Sequence, residues 1–142
     1  MIHDALFTLF NTIRHTISFE LKRTSLDLAP MHFKTLKVIH MTDSCTGQKL
    51  ADYLGRDKAQ INRLIKYLAE AHLIEKKQCK QDKRSQLISL TAAGNKALAV
   101  FTDIEKRVFD AMLEGVNEEE KALFKKLVLR FTDNLNDRRP PC

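Results

Sequence analysis

Amide and basic side chains recur along one short stretch of the chain, KAQINRLIK at residues 58 to 66. Asn and Gln can form paired hydrogen bonds with adenine, and Arg or Lys with guanine, in the major groove of DNA. We therefore expect Gln60, Asn62 and Arg63 to read base edges. We expect Lys58 and Lys66 to neutralise phosphates. The alternative is a polar helix face that only meets water.

A helix must hold these side chains, and the apolar spacing predicts one. After Asp57, apolar residues recur every three or four positions: Ile61, Leu64, Ile65 and Leu68. A shorter helical pattern begins after Thr46, whose hydroxyl suits the N-cap position. It includes Gln48 on its outer side, where the first helix of such a pair crosses the DNA backbone. With a turn at Gly55 between the two helices, the pattern predicts a helix-turn-helix.

A β-hairpin is predicted directly after the second helix. One strand follows Leu73, and a second strand runs from Gln86 to Leu90 and ends at Thr91. The loop between them carries four charged residues that we expect to meet DNA: Lys80, Asp82, Lys83 and Arg84. From residue 56 to residue 84 there are nine Lys or Arg and four Asp or Glu, which is most of the chain's net charge of +6. Such a basic excess suits a phosphate backbone.

The order of helix-turn-helix and hairpin, with LADYL at 50–54 and DKRSQLISLT at 82–91, resembles the MarR/SlyA family of bacterial transcription regulators. Asp82, Arg84 and the run at 88–91 match the wing motif of that family. The resemblance implies a homodimer that binds a pseudo-palindromic DNA operator, most often as a repressor. It also implies that Arg84 enters the minor groove while Asp82 holds the wing, and that a small aromatic carboxylate such as salicylate is the effector.

The remaining helices predict a mainly α fold with a small β-hairpin, six helices in all. We expect one domain over 1–142, with a winged helix-turn-helix at 30–91 and dimerisation helices at 1–23 and 95–137. The first and last helices carry long apolar stripes that a lone chain would leave in water. The residues expected to contact a second subunit are Leu6, Phe10, Ile13, Ile17, Leu123, Leu127 and Phe131. Packing within one chain is the alternative.

Several other functions are disfavoured by the sequence. It contains no phosphate-cradling glycine loop, HExxH motif or nucleophile elbow, so we expect neither an enzyme nor a cofactor. Every helical pattern is interrupted by charges, which argues against a membrane span and favours a cytoplasmic protein. A winged-helix module that binds protein instead of DNA is a further alternative.

The cysteines and histidines leave two sensory alternatives open. Cys45, Cys79 and Cys142 form no CxxC pair, and inert thiols are the favoured interpretation. A metal site from His32, His40 and Cys45 would need these residues to converge in space. Redox sensing by Cys45 or Cys79 would need a lowered thiol pKa, which the lysines around Cys79 could provide.

Overall fold

The computed structural model describes residues 1–78, 80 and 84–139. Over these residues it contains six helices and two strands, which confirms the predicted fold class. The elements in chain order are α1 (Ile2–Lys22), α2 (Pro30–Met41), α3 (Gly47–Leu54), α4 (Lys58–Glu70), β1 (Ile74–Gln78), β2 (Gln86–Leu90), α5 (Ala92–Met112) and α6 (Glu118–Asn136).

The ends of α3 and α4 are fixed by short polar side chains. The hydroxyl of Thr46 accepts a hydrogen bond from the backbone N–H of Lys49 at 3.2 Å, and the Asp57 carboxylate accepts one from Gln60 N–H at 2.8 Å. These are the N-cap bonds that satisfy free amides at a helix start. Gly55 ends α3 with φ of 63°, a left-handed conformation that favours glycine. The turn between the two helices is therefore set locally.

The strands β1 and β2 form an antiparallel hairpin whose register runs from Ile74 opposite Leu90 to Gln78 opposite Gln86. The hairpin is attached to the rest of the chain at one face and at one end. Ile88 is buried, and its N–H donates to the carbonyl of Cys45 at 2.8 Å. At the end of β2, Thr91 N–H donates to the Leu73 carbonyl at 3.0 Å. These contacts fix the base of the hairpin beside α3 and α4.

The helix α5 begins at the end of the hairpin with very close packing. The Thr91 hydroxyl donates to the carbonyl of His72 at 2.7 Å and accepts from Gly94 N–H at 3.0 Å, so Thr91 is the N-cap of α5. A Cβ added at Gly94 would overlap with the carbonyl oxygen of Leu73. Only a glycine lets the first turn of α5 approach the backbone this closely.

The first compact unit, Met1–Val108, has a continuous hydrophobic core. Six of its fully buried side chains come from four helices of the unit: Phe33, Leu36, Leu50, Ile61, Leu68 and Ile104. The rings of Phe33 and Phe101 stack with centroids 5.0 Å apart, which joins α2 to α5. From α1 only Ile17 and Leu21 are buried, so most of that helix lies outside this core.

The second compact unit, Phe109–Cys142, contains α6. The start of this helix has a capping box. Asn117 N–H donates to the Glu120 carboxylate at 3.1 Å, and Glu120 N–H donates to the Asn117 side chain at 2.9 Å. No residue of α6 is buried. Its apolar residues are exposed along the helix: Leu123, Phe124, Leu127, Val128, Leu129, Phe131 and Leu135.

Candidate nucleic-acid interface

A cleft of about 490 Å³ lies between α3, α4 and the hairpin. Four of the predicted DNA-binding residues line it: Gln48, Lys58, Asn62 and Arg84. Three further polar residues, which the sequence did not indicate, line it from the hairpin: Lys76, Gln78 and Gln86. Among the residues that the structure describes, no Asp or Glu lines this cleft. The cleft is therefore a positively charged site open to solvent.

The apolar stripe of α4 determines which side chains reach this cleft. Ile61, Ile65 and Leu68 are buried against the core of the first unit. Ile61 and Ile65 also form part of the cleft wall, together with Ile88 from the hairpin. Since residues one turn apart share a helix face, Lys58 and Asn62 stand at the edge of this wall and present their polar groups to the cleft.

Two other predicted side chains of α4 lie on a second groove, of about 350 Å³. Gln60 and Arg63 line it together with Arg56 and Tyr67. Gln60 is half-buried there, whereas Asn62 and Arg63 are exposed. At about 100° per residue, Lys66 is about 40° from Asn62 around the helix, whereas Gln60 is about 160° from Asn62 and only about 60° from Arg63. The structure therefore places Asn62 at the cleft and brings Gln60 and Arg63 together at the second groove.

The outer side of α3 carries its own polar contacts. The Gln48 amide donates to the Asp52 carboxylate at 2.9 Å, and Lys49 Nζ donates to the carbonyl of Asp43 at 3.1 Å. Both contacts are exposed. Gln48 thus lies at the rim of the cleft, at the start of α3.

The hairpin loop is described only in part. Lys80 is exposed, and Arg84 is exposed at the mouth of the cleft. The predicted wing residues Asp82 and Lys83 lie outside the described residues, as do Cys79 and Cys142.

A contact that sequence reasoning missed ties α4 to α2. The rings of His32 and Tyr67 stack with centroids 4.3 Å apart and planes 4° from parallel. The Tyr67 hydroxyl donates to the carbonyl of Asp27 at 2.8 Å, and His32 Nδ1 accepts from Ala29 N–H at 2.9 Å. Burial lowers the pKa of His32, with Asp27 acting in the opposite direction. A neutral ring is also what the bond from Ala29 requires, because only an unprotonated Nδ1 can accept.

The sensory alternatives gain no support from the described residues. One nitrogen of His32 is already used by Ala29, and no three His, Cys, Asp or Glu residues of the described ranges are arranged to hold a metal ion. Cys45 is buried, and burial raises the pKa of its thiol although Lys49 acts in the opposite direction. A buried thiol with a raised pKa is a poor redox sensor.

The predicted dimer contacts divide into two groups. Leu123, Leu127 and Phe131 are exposed on α6, and Phe10 is exposed on α1. Leu6 is half-buried. Ile13 packs at the edge of the first unit's core, and Ile17 is only 9% exposed within that core. Ile17 therefore packs largely inside its own chain, and its expected contact with a second subunit stays a prediction.

Within the described part of the chain, none of the helices combines the length and the apolar character needed to cross a lipid bilayer.

Comparison with known proteins gives one family match, to part of the chain, and several matches to solved structures. The family model described as the MarR family matches residues 28–86, from just before α2 to the first residue of β2. Streptococcus pneumoniae FabT, in a structure with DNA, superposes with a TM-score of 0.88 at 21% identity over 97% of both chains.

Two further crystal structures share the fold along nearly the whole chain. A structure of MarR gives a TM-score of 0.82 at 24% identity, over 96% of this chain and 92% of that one. Staphylococcus aureus MepR in complex with DNA gives 0.81 at 21% identity, over 95% and 98%. The segment 28–86 thus matches the MarR family model, and the chain shares the winged-helix fold of these three structures.

Proposed function

We propose that this protein is a homodimeric DNA-binding repressor that a small molecule releases from its operator. The observation that carries the DNA-binding part is the cleft between α4 and the hairpin, where Lys58, Lys76 and Arg84 meet and which no described acidic side chain lines. Such a cleft attracts a polyanion, because each neutralised phosphate releases bound counterions. FabT and MepR, which share the fold, have been crystallised with DNA.

In the proposed complex, α4 enters the major groove and the hairpin reaches the adjacent minor groove. Asn62, Arg63 and Gln60 read bases, with Asn62 on the cleft side of α4 and Gln60 and Arg63 on the side of the second groove. Gln48, Lys58, Lys66 and Lys80 bind phosphates. Arg84 enters the minor groove, where narrow A·T-rich sequence concentrates negative potential, and Asp82 and Lys83 complete the wing. No residue is assigned a catalytic role, in keeping with a family of regulators.

Dimerisation supplies the second DNA-binding unit. The exposed apolar faces of α1 and α6, Phe10 and Leu127 among them, are larger than the scattered apolar residues of a monomer surface. Burying them against a second copy places two α4 helices about one DNA turn apart, on a pseudo-palindromic operator. The segment 30–91 is then the DNA-binding unit, and 1–23 and 95–137 supply the dimer helices.

A cavity in the first unit fits the proposed effector, a small aromatic carboxylate. It measures about 400 Å³, and its apolar wall includes Ile13, Met31 and Phe101. Lys34 and Lys37 lie at the same cavity, and Lys37 Nζ is 3.5 Å from the Glu105 carboxylate. An aromatic ring on the apolar wall could bring its carboxylate to Lys37 in competition with Glu105. If the effector prefers a dimer that cannot bind DNA, effector and operator must weaken each other's binding reciprocally.

Selection from a pool of random duplexes tests the proposal directly. The purified full chain should enrich an inverted repeat, and its affinity for that repeat should fall steeply as salt rises. Arg84→Ala should weaken operator binding by about 1 kcal/mol or more without changing the fold, because it removes a minor-groove guanidinium. Arg23→Ala, which removes an exposed arginine of the α1 end, is the matched control and should change affinity little.

The outcomes separate the candidate functions. Sequence-blind binding with little salt dependence would contradict the regulator and favour a winged-helix module for protein contacts. Enrichment that appears only under reducing or only under oxidising conditions would direct attention to Cys79, the cysteine of the wing. Salicylate that leaves operator affinity unchanged at saturating concentration would remove that class of effector.

A further inference from the structure

One face of the hairpin carries polar side chains that point toward α4. Because side chains alternate along a strand, Lys76 and Gln78 of β1 share a face with Gln86 and Ile88, their partners in the register. Ile88 is buried and forms part of the cleft wall, which identifies this face as the inner one. Lys76 and Gln78 are exposed and line the same cleft.

The opposite face of the hairpin has different neighbours. Lys77 and Leu87 alternate with the inner residues and line a separate groove that includes His40 and Asn95. Lys76 and Lys77 are thus adjacent, exposed lysines that face two different spaces.

The grooves of DNA dictate what must occupy the cleft in a complex. A helix in the major groove and a hairpin in the next minor groove are separated by one sugar-phosphate strand, since such a strand forms the wall between two grooves. That strand has to pass between α4 and the hairpin. The space there is the cleft of about 490 Å³, with Lys58 on the α4 side and Lys76 on the hairpin side.

We propose that the cleft holds the phosphate strand between the two grooves and that Lys76 neutralises one of its phosphates. Gln86, on the same face, donates its amide to the same strand. These contacts carry no base information, so they raise affinity for every duplex and help fix the register of α4 on the DNA. The proposal rests on the proposed DNA-binding function. It adds a phosphate contact from β1 to the phosphate contacts already proposed for α3, α4 and the loop.

The proposal is tested by comparing alanine variants of two adjacent lysines that face different sides of the hairpin. Lys76→Ala and Lys77→Ala, each in the full chain, are compared with wild type on the selected operator and on an unrelated duplex across a salt series. Lys76→Ala should weaken binding about 3- to 10-fold on both duplexes and reduce the slope of log K against log salt by about 0.9, the loss of one phosphate contact. Lys77→Ala should stay within about 2-fold, with the slope unchanged. Lys76→Arg should keep the wild-type slope.

A modified operator locates the contact. Replacing one phosphate at a time by a neutral methylphosphonate should reveal a position, in the strand between the major-groove and minor-groove sites, that weakens wild type but has no further effect on Lys76→Ala. Equal losses for the two alanine variants would show a general field effect and overturn the proposal. So would an unchanged slope for Lys76→Ala when wild type binds its operator. Failure of wild type to bind any duplex would overturn the DNA-binding function itself, and this inference with it.

Discussion

The helices α4 and α6 are both amphipathic, but they differ in how much of their apolar face the chain buries. Both carry apolar residues at three- and four-residue spacing with charged residues between them. In α4 this stripe is buried, through Ile61, Ile65 and Leu68, whereas α6 buries none of its residues. An amphipathic pattern therefore shows that a face needs covering, but the pattern does not show whether the same chain covers it.

The difference follows from what lies around each helix. The stripe of α4 packs into a core that α2, α3 and the hairpin share with it. In α6 the stripe stays open from Leu123 to Leu135, over more than three turns. At about 25 cal/mol per Å² of buried apolar area, covering such a stripe with a second copy is a substantial driving force for association. The two helices thus make separate predictions about stability and assembly.

The largest effect is expected in α4. Leu68 is fully buried, so Leu68→Ala should lower the free energy of unfolding by about 2 to 5 kcal/mol, through lost burial and the cavity left behind. Chemical denaturation followed by circular dichroism measures this change. Lys66→Ala, an exposed change on the same helix, should stay within about 0.5 kcal/mol. Similar losses for both variants would mean that α4 is held by its surface and not by its core stripe.

A smaller effect is expected in α6, and it should appear in assembly. Leu127→Ala removes part of the open stripe, at a cost of about 1.5 kcal/mol in each copy. The dissociation constant of the proposed dimer should then rise on the order of 100-fold in analytical ultracentrifugation. The control is Leu129→Ala, because Leu129 lies two residues on, about 200° around the helix, and is also exposed. If Leu129→Ala dissociates the dimer and Leu127→Ala does not, the wrong face has been assigned to the interface.

The smallest effect concerns the contact that joins α4 to α2 through Tyr67 and His32. Because burial lowers the pKa of His32 below its ordinary value of 6.5, the folded chain binds fewer protons here than the unfolded chain. This contribution to stability is present above about pH 6.5 and is lost as pH falls from there through the folded pKa. Thermal unfolding from pH 7.5 to 5 should show the loss. His32→Gln, which keeps an acceptor for Ala29 N–H without titrating, should have a flatter profile in this range.

Local signals in the sequence were sufficient for the architecture. The N-caps at Thr46, Asp57, Thr91 and Asn117 each accept a hydrogen bond from a backbone N–H three residues on, and the N-cap expected at Thr46 is confirmed. The strand from Gln86 to Leu90 is confirmed with its predicted bounds. Such features are readable because their hydrogen bonds join residues that are close in the chain.

Contacts between distant segments could not be predicted in the same way. The His32 ring takes the place of the Glu or Gln of a capping box, and its stacking on Tyr67 joins residues 35 positions apart. Lys76 reaches the cleft only because the hairpin turns its inner face toward α4. Ile17 fits both the core and an apolar outer face by spacing alone, and the structure places it in the core. In each case a tertiary neighbour, absent from the local pattern, decides the role.

The close packing of Gly94 on Leu73 has a consequence for how the chain can vary. Since even a methyl group at position 94 would meet the Leu73 carbonyl, a library randomised at this position and selected for folding should return glycine alone. The same contact leaves no space between the end of the hairpin and the start of α5. A rotation of α5 would therefore move the hairpin with it, because the two elements are in direct backbone contact.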